Sequence, residues 1–319
     1  MTNIKDLARM AGVSVTTVSR VLNNHPYVSE QKKVAVLRAI EESNYHKNIN
    51  AVHLSKGKTQ LIGVVLPYTD HSYFGQLLKG IAKQALEHNY KLVLFQTDYI
   101  ESRELEALYM LKHKQIDSLI ICSRTSNWSI IEEHLVYGTI TLCENMINKK
   151  VSTTFVNHYE VFFDALEYLY SKGHSKIGYT IGRKSGTNSQ NRERAYRDFH
   201  EKYNLPYNSY YIMDECLYFE DGEKVVKQLN DMDTPPTALL ITSDQVAAGV
   251  VTCCQKHNIS IPDQLSIIGF DNEPIAKMMN ITSIEIPLEE MGKNLFLQAI
   301  NDQVSNKEIS VKLIQRKTV

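Results

Sequence analysis

Apolar positions fall into three regimes along the chain. At the start they recur at helical spacing. Ile4, Leu7, Ala8 and Ala11 sit at i, i+3, i+4 and i+7, one stripe of a short helix. Gly12 supplies the positive φ that ends it. Ser14 is placed as the N-cap of a second helix, with Val13 and Val18 at the staple positions on either side. Val18, Val21 and Leu22 form that helix's inward stripe. A third helix is predicted from a Ser29 cap, with Val36, Leu37 and Ile40 inward and an end near Asn44-Tyr45. The second regime, 47–59, has no apolar periodicity of its own. From Leu61 onward short apolar runs alternate with amphipathic stretches. Strands are predicted at Leu61–Leu66, Lys91–Phe95, Ser118–Cys122, Ile140–Cys143, Ile177–Ile181, Ala238–Ile241 and Ser266–Phe270. Helices lie between most of them, among them a stripe of Leu77, Leu78, Ile81 and Ala85, and the stretches Tyr159–Tyr170 and Gln245–His257. Continuous apolar strands alternating with helices mean parallel sheets covered on both faces. The fold class is a small all-α head plus an α/β body. Ligands of such sheets bind beyond the carboxyl ends of the strands.

The second helix keeps an outward side of short hydroxyls and one arginine, where solvent-facing helices are usually rich in Glu and Lys. Two short helices joined by a tight glycine turn, with small Ala8 at the crossing, make a helix-turn-helix. A recognition helix must enter a groove about 12 Å wide, so its leading side chains are short. Val15 and a threonine methyl can meet a thymine methyl. Thr16 and Thr17 can hydrogen-bond to base edges, and Arg20 can pair bidentately with guanine. Ser19 and Asn23 are better placed for phosphates. Charge supports this reading. Residues 1–60 hold nine Lys and Arg against four acids, a balance of +5 in a chain of net charge −1, so the rest carries −6. A basic head on an acidic body suits a polyanion at one end only.

A length of 319 residues implies two domains at roughly 150 residues each. The five cysteines show no metal-ligand spacing and fit a reduced compartment. No apolar run approaches the ~20 residues that span a bilayer, and the N-terminus lacks an apolar signal core. The expectation is a cytoplasmic protein without cofactor or metal. Gly57-Lys58-Thr59 mimics the end of a phosphate loop, but Val52 stands where that loop needs glycine. No nucleophile motif or histidine pairing marks an enzyme. The eleven histidines read as surface or core, and "GRKSG" (Gly182–Gly186) reads as a loop rather than a phosphate site. A solute-binding protein would suit the body alone, but not the head.

The helices of the head, "YVSE" at Tyr27–Glu30, "NY" at Asn44-Tyr45 and Leu54 ahead of a Gly-Lys pair together resemble the lactose-repressor (LacI/GalR) family of transcription regulators. "GHSKIGYTIG" (Gly173–Gly182), "PTALLITSDQVAAG" (Pro236–Gly249) and "ISIPDQLSIIGFDN" (Ile259–Asn272) extend the resemblance over the body. It implies a helix-turn-helix domain at 1–46, a hinge helix and linker at 47–59, and an effector-binding and dimerisation domain at 60–319. The body should have two periplasmic-binding-protein-like lobes, about 60–160 with 286–309 and about 161–285 with 310–319. It also implies a homodimer on a pseudo-palindromic operator, acting as a repressor of carbohydrate-utilisation genes. The implied effector is a sugar or sugar phosphate, with purines or nucleosides the alternative. Tyr45, Asn48, Ala51 and Leu54 would contact DNA, Leu54 as a minor-groove wedge. The family's usual proline is absent from Tyr45-His46-Lys47-Asn48, and Val52 follows Ala51 where an arginine is usual.

Candidate effector ligands follow from chemistry and resemblance together. Asp271 follows "IIGF" at a strand end, where a carboxylate suits two hydroxyls or an amine. Arg192 offers a planar fork for vicinal hydroxyls, a carboxylate or a phosphate. Tyr73 and Phe74, expected in the loop after the first strand, can cover an apolar ligand face. Glu144 and Ser243 lie at strand ends and can hydrogen-bond a ligand, while Asp244 is expected to cap its helix. The family's stacking aromatic aligns with Leu217, next to Tyr218 and Phe219.

Overall fold

The computed structural model describes residues 2–46, 57–146 and 149–319. The chain divides into two compact units, Met1–Thr59 and Gln60–Val319.

The first unit is helical: α1 (Ile4–Met10), α2 (Val15–Leu22) and α3 (Glu30–Ser43). Asn3 and Asp6 form a capping box on α1, and Gly12 takes φ +64° between α1 and α2. The Ser14 hydroxyl caps α2 by accepting from Thr17 N at 3.2 Å. Leu7, Ala8, Val18, Val21, Val36 and Ala39 form the core, with Val13, Leu22, Ile40 and Tyr45 packed against it. Two expectations need correction here. Leu37 is about half exposed, because Ala39 takes the inward position on α3. Ser29 precedes α3 in extended backbone, but its side chain makes no cap bond. Asn44 ends α3 in the left-handed conformation.

The second unit holds two six-stranded sheets. Its elements run β1 (Leu61–Leu66), α4 (Ser72–Glu87), β2 (Lys91–Gln96), α5 (Glu101–Lys112), β3 (Ser118–Ile121), α6 (Trp128–His134), β4 (Thr139–Leu142), β5 (Ser152–Phe155), α7 (His158–Ser171), β6 (Ile177–Thr180) and α8 (Thr187–Lys202). They continue with a 3-10 turn (Ser209–Tyr211), β7 (Ile212–Met213), α9 (Asp221–Asn230), β8 (Ala238–Ile241), α10 (Asp244–Lys256), β9 (Ser266–Phe270), α11 (Pro274–Met278), β10 (Thr282–Glu285), α12 (Leu288–Ala299), β11 (Asn306–Glu308) and β12 (Lys312–Ile314). The sheets have the same order, β2-β1-β3-β4-β5-β11 and β7-β6-β8-β9-β10-β12. All pairings are parallel except β10 with β12. The chain therefore passes between the sheets after β5, after β10 and after β11. Helix α7 packs on α8, on the side of the second sheet, so the first passage precedes His158.

Central strands β1, β3, β8 and β9 are buried almost throughout, as their unbroken apolar runs require. Helix α12 returns to pack on α4. Gly80 and Gly292 let the two backbones meet there. A Cβ on either would strike a carbonyl of the other helix, Glu289 O or Leu77 O.

Candidate nucleic-acid interface and interlobe cavity

In the first unit, α2 presents Val15, Thr16 and Arg20 to solvent, with Thr17 and Ser19 half-buried at the edge. This division follows from Val18 and Val21 turning inward. Ser14 and Thr17 share a hydroxyl contact of 2.9 Å, so both are partly occupied in closing the helix start. Arg20 forms no ion pair among the described residues. Asn23 is the exposed C-cap of α2. Tyr45 is half-buried against the core. Asn48, Ala51 and Leu54 lie outside the described residues.

In the second unit, a cavity of about 150 Å³ lies where strands of both sheets point their carboxyl ends. The ends of β1 to β5 bring His71, Tyr73, Phe74, Tyr99, Cys122, Arg124, Cys143, Glu144 and His158 to it. The segments after β6 and β7 bring Arg183, Gly186–Ser189, Arg192 and Leu217.

The first-sheet wall is aromatic and thiol-lined. Tyr73 and Phe74 lie in the first turn of α4, not in a loop, because His71 caps that helix by accepting from Tyr73 N at 3.3 Å. The two rings meet edge to face at 5.1 Å. Tyr73 Oη is 3.9 Å from Cys143 Sγ. Burial drives the Tyr73 hydroxyl well up, and pushes the Cys143 thiol up to about 12. Glu144 is held in a fork by Arg124, Nε to Oε1 at 2.5 Å and Nη2 to Oε2 at 3.3 Å.

The opposite wall is cationic. Arg192 Nη2 donates to His158 Nδ1 at 3.2 Å. Burial, and then the Arg192 charge, hold His158 well below the ordinary imidazole range, so it stays a neutral acceptor. Arg192 also lies over the Phe270 ring at 5.6 Å. Asp271 is buried beside it, at φ +92°, a strained conformation for a residue with a Cβ. Burial, with Asp244 and Glu273 nearby, pushes its carboxyl well up, and the Arg192 charge pulls the other way. Arg183 stacks on the Tyr99 ring at 3.7 Å.

Few polar contacts join the two walls. Thr187 Oγ1 donates to Glu144 Oε2 at 2.9 Å, and Arg183 Nη2 to the Arg124 carbonyl at 3.4 Å. Tyr218 Oη donates to Asp70 at 3.2 Å.

The structure brings Tyr73, Phe74, Glu144 and Arg192 together around the cavity; Asp271, expected among them, is a correction, since it is buried behind Arg192 and does not line the cavity. Ser243 is a correction. It does not line the cavity, since its hydroxyl caps α10 by accepting from Gln245 N at 3.3 Å. Asp244, expected as that cap, is instead buried, accepting from Glu273 N at 2.7 Å and Ser283 Oγ at 2.8 Å. His71 and His158 line the cavity, whereas the sequence alone places the histidines on the surface or in the core. Arg124, Arg183 and Tyr99 carried no sequence signal beyond "GRKSG". Among the described residues no group of three His, Cys, Asp or Glu suits a metal ion, and no helix is long and apolar enough to cross a membrane.

Comparison with known proteins places this geometry. Residues 3–48 match the model of bacterial regulatory proteins of the lacI family. Residues 59–317 match that of periplasmic binding proteins and the sugar binding domain of the LacI family. The chain belongs to the LacI family. Among similar LacI-family chains, the HTH-type transcriptional regulator YkvZ of Bacillus subtilis, itself uncharacterized, is 42% identical over the whole of both chains. The lac repressor dimer bound to operator and the anti-inducer ONPF superimposes with TM-score 0.82, at 22% identity over 99% of this chain and 98% of that one. A LacI family regulator from Lactobacillus casei with bound sucrose gives TM-score 0.74, at 22% identity over 81% of this chain and 99% of that one. The protein is thus a DNA-binding transcriptional regulator, and its relatives are regulators rather than enzymes.

Proposed function

We propose that the protein is a repressor of carbohydrate-utilisation genes whose operator affinity is set by a sugar or sugar phosphate held between the lobes. The observation that carries the reading is the cavity itself. Strand ends from both sheets line it, and only a handful of hydrogen bonds join its walls. A ligand there contacts both lobes at once and so biases the angle between them. Arg192 would hold its hydroxyls, with the buried Asp271 carboxylate behind it, Glu144 would accept from one, and Tyr73 and Phe74 would cover its apolar face.

On DNA, α2 would enter the major groove with Thr16 and Arg20 on base edges and Val15 against a thymine methyl. Ser14, Thr17, Ser19, Asn23 and Tyr45 would serve the phosphates, and Asn48, Ala51 and Leu54 the minor groove. The protein would act as a homodimer. Support comes from edge strand β2 and neighbouring α5, which leave Leu105 and Tyr109 exposed together beside Phe95. An uncovered apolar edge of this kind suits a second copy.

Selection of binding sites from random duplex DNA by the full-length protein tests the reading. A palindromic consensus with two half-sites is expected. Recovery of unselected DNA only would overturn it.

A further inference from the structure

Three guanidinium groups stand on the cavity wall, and their charges are unevenly matched. Arg124 has Glu144 in its fork. Arg183 has no carboxylate within ion-pair distance among the described residues. Among the described residues its one hydrogen bond is the long contact to the Arg124 carbonyl, and its face is held on Tyr99. Most of its donors remain unused. Arg192 leans on neutral His158, and its buried Nε has no hydrogen-bond partner.

The placing of Arg183 sharpens the imbalance. Its Nη2 lies 3.1 Å from where a Cβ would stand on Gly186. Gly186 is the N-cap of α8, a helix of 16 residues whose start has no side-chain cap bond. The first-turn residues Thr187, Asn188 and Ser189 line the cavity. A helix start carries partial positive charge and unpaired N–H donors. Here a cation sits on top of it. The carboxylate that lines the cavity, Glu144, takes the Thr187 hydroxyl but is already matched by Arg124.

We propose that the effector carries a phosphate group, held between the Arg183 fork and the first turn of α8, with Arg192 Nε as a further donor from the wall. The proposal deepens the cleft reading above and rests on it. A phosphate offers three terminal oxygens to donors that arrive from different directions, and it compensates both the guanidinium and the helix start. Gly186 then has a positional reason, since a side chain there would crowd the Arg183 guanidinium, which would have to give by a few tenths of an ångström.

The test is thermal unfolding of the full-length protein with inorganic phosphate, glucose 6-phosphate or glucose, at constant ionic strength. Chloride serves as the control for general salt stabilisation. Phosphate and glucose 6-phosphate should raise the unfolding temperature saturably, at concentrations where glucose does not. Arg183→Gln should weaken the apparent affinity roughly tenfold or more while leaving the unliganded unfolding temperature close to wild type. Arg183→Lys, which keeps the charge and loses the fork, should fall between. No saturable shift with either phosphate compound overturns the proposal. An equal shift with glucose also overturns it, yet leaves the cleft reading standing. A phosphate shift undiminished in both Arg183→Gln and Arg192→Gln places the anion outside the cavity and overturns the proposal, while the cleft reading stands.

Discussion

Arg20 projects from the head into solvent, beyond the inward valines of its own helix. Arg20→Ala should therefore leave the unfolding temperature unchanged. It should cost about 1–3 kcal/mol of discrimination at one base pair per half-site, read as competition between the selected site and its single-base variants. His158 makes the opposite kind of prediction. Its folded pKa is depressed, so the stability it contributes is present above its ordinary value of 6.5 and is lost as pH falls through that value toward the folded one. The unfolding-temperature advantage of wild type over His158→Gln should accordingly shrink between pH 7.5 and pH 5. At this scale, the legible residues were those with a positional rule: a cap after a glycine, a carboxylate after a strand, an arginine one and a half turns into a helix. Arg183 and His158 obey no such rule. Their roles come from which wall faces them, and that is a property of the tertiary fold.

Strands with unbroken apolar runs were readable to within a residue or so, because a parallel strand buried on both faces has no other way to be written. Strands β5 and β10 read "STTF" and "TSIE" and were not found. They are buried because side chains satisfy them: Thr153 Oγ1 donates to Asn306, Thr154 Oγ1 to Gln298, and Ser283 Oγ to Asp244. Polar strands with partners more than a hundred residues away in β5's case leave no periodic trace. That Ser243 caps α10 in place of Asp244 has the same cause, since a distant strand claims the aspartate. Helix crossings are more demanding than composition suggests. The Gly80–Gly292 crossing predicts that Gly292→Ala forces α12 off α4, at a cost of about 1–3 kcal/mol or more. Denaturant titration checks it, and an unchanged midpoint would mean that the backbones separate freely.

At the scale of the whole second unit, the repeated strand order makes the two lobes similar bodies joined by three passages of chain, with the cavity where they face. The uncovered surface of β2 and α5 predicts a change of mass. Tyr109→Glu combined with Leu105→Glu should convert a dimer to a monomer in sedimentation, without loss of secondary structure. The central claim is that the state of the cleft and the affinity for DNA are one linked equilibrium. Linkage is reciprocal, so operator binding must alter the cleft as much as the cleft alters operator binding. Cys122 and Cys143 line the cavity, are buried, and have thiols pushed up by that burial, so their reaction should follow how far the lobes part. The measurement is their rate of maleimide labelling, resolved by mass spectrometry, with the selected operator duplex and with a scrambled duplex of the same length. The account predicts a change of about fivefold or more with the operator alone. Equal rates with both duplexes would contradict it.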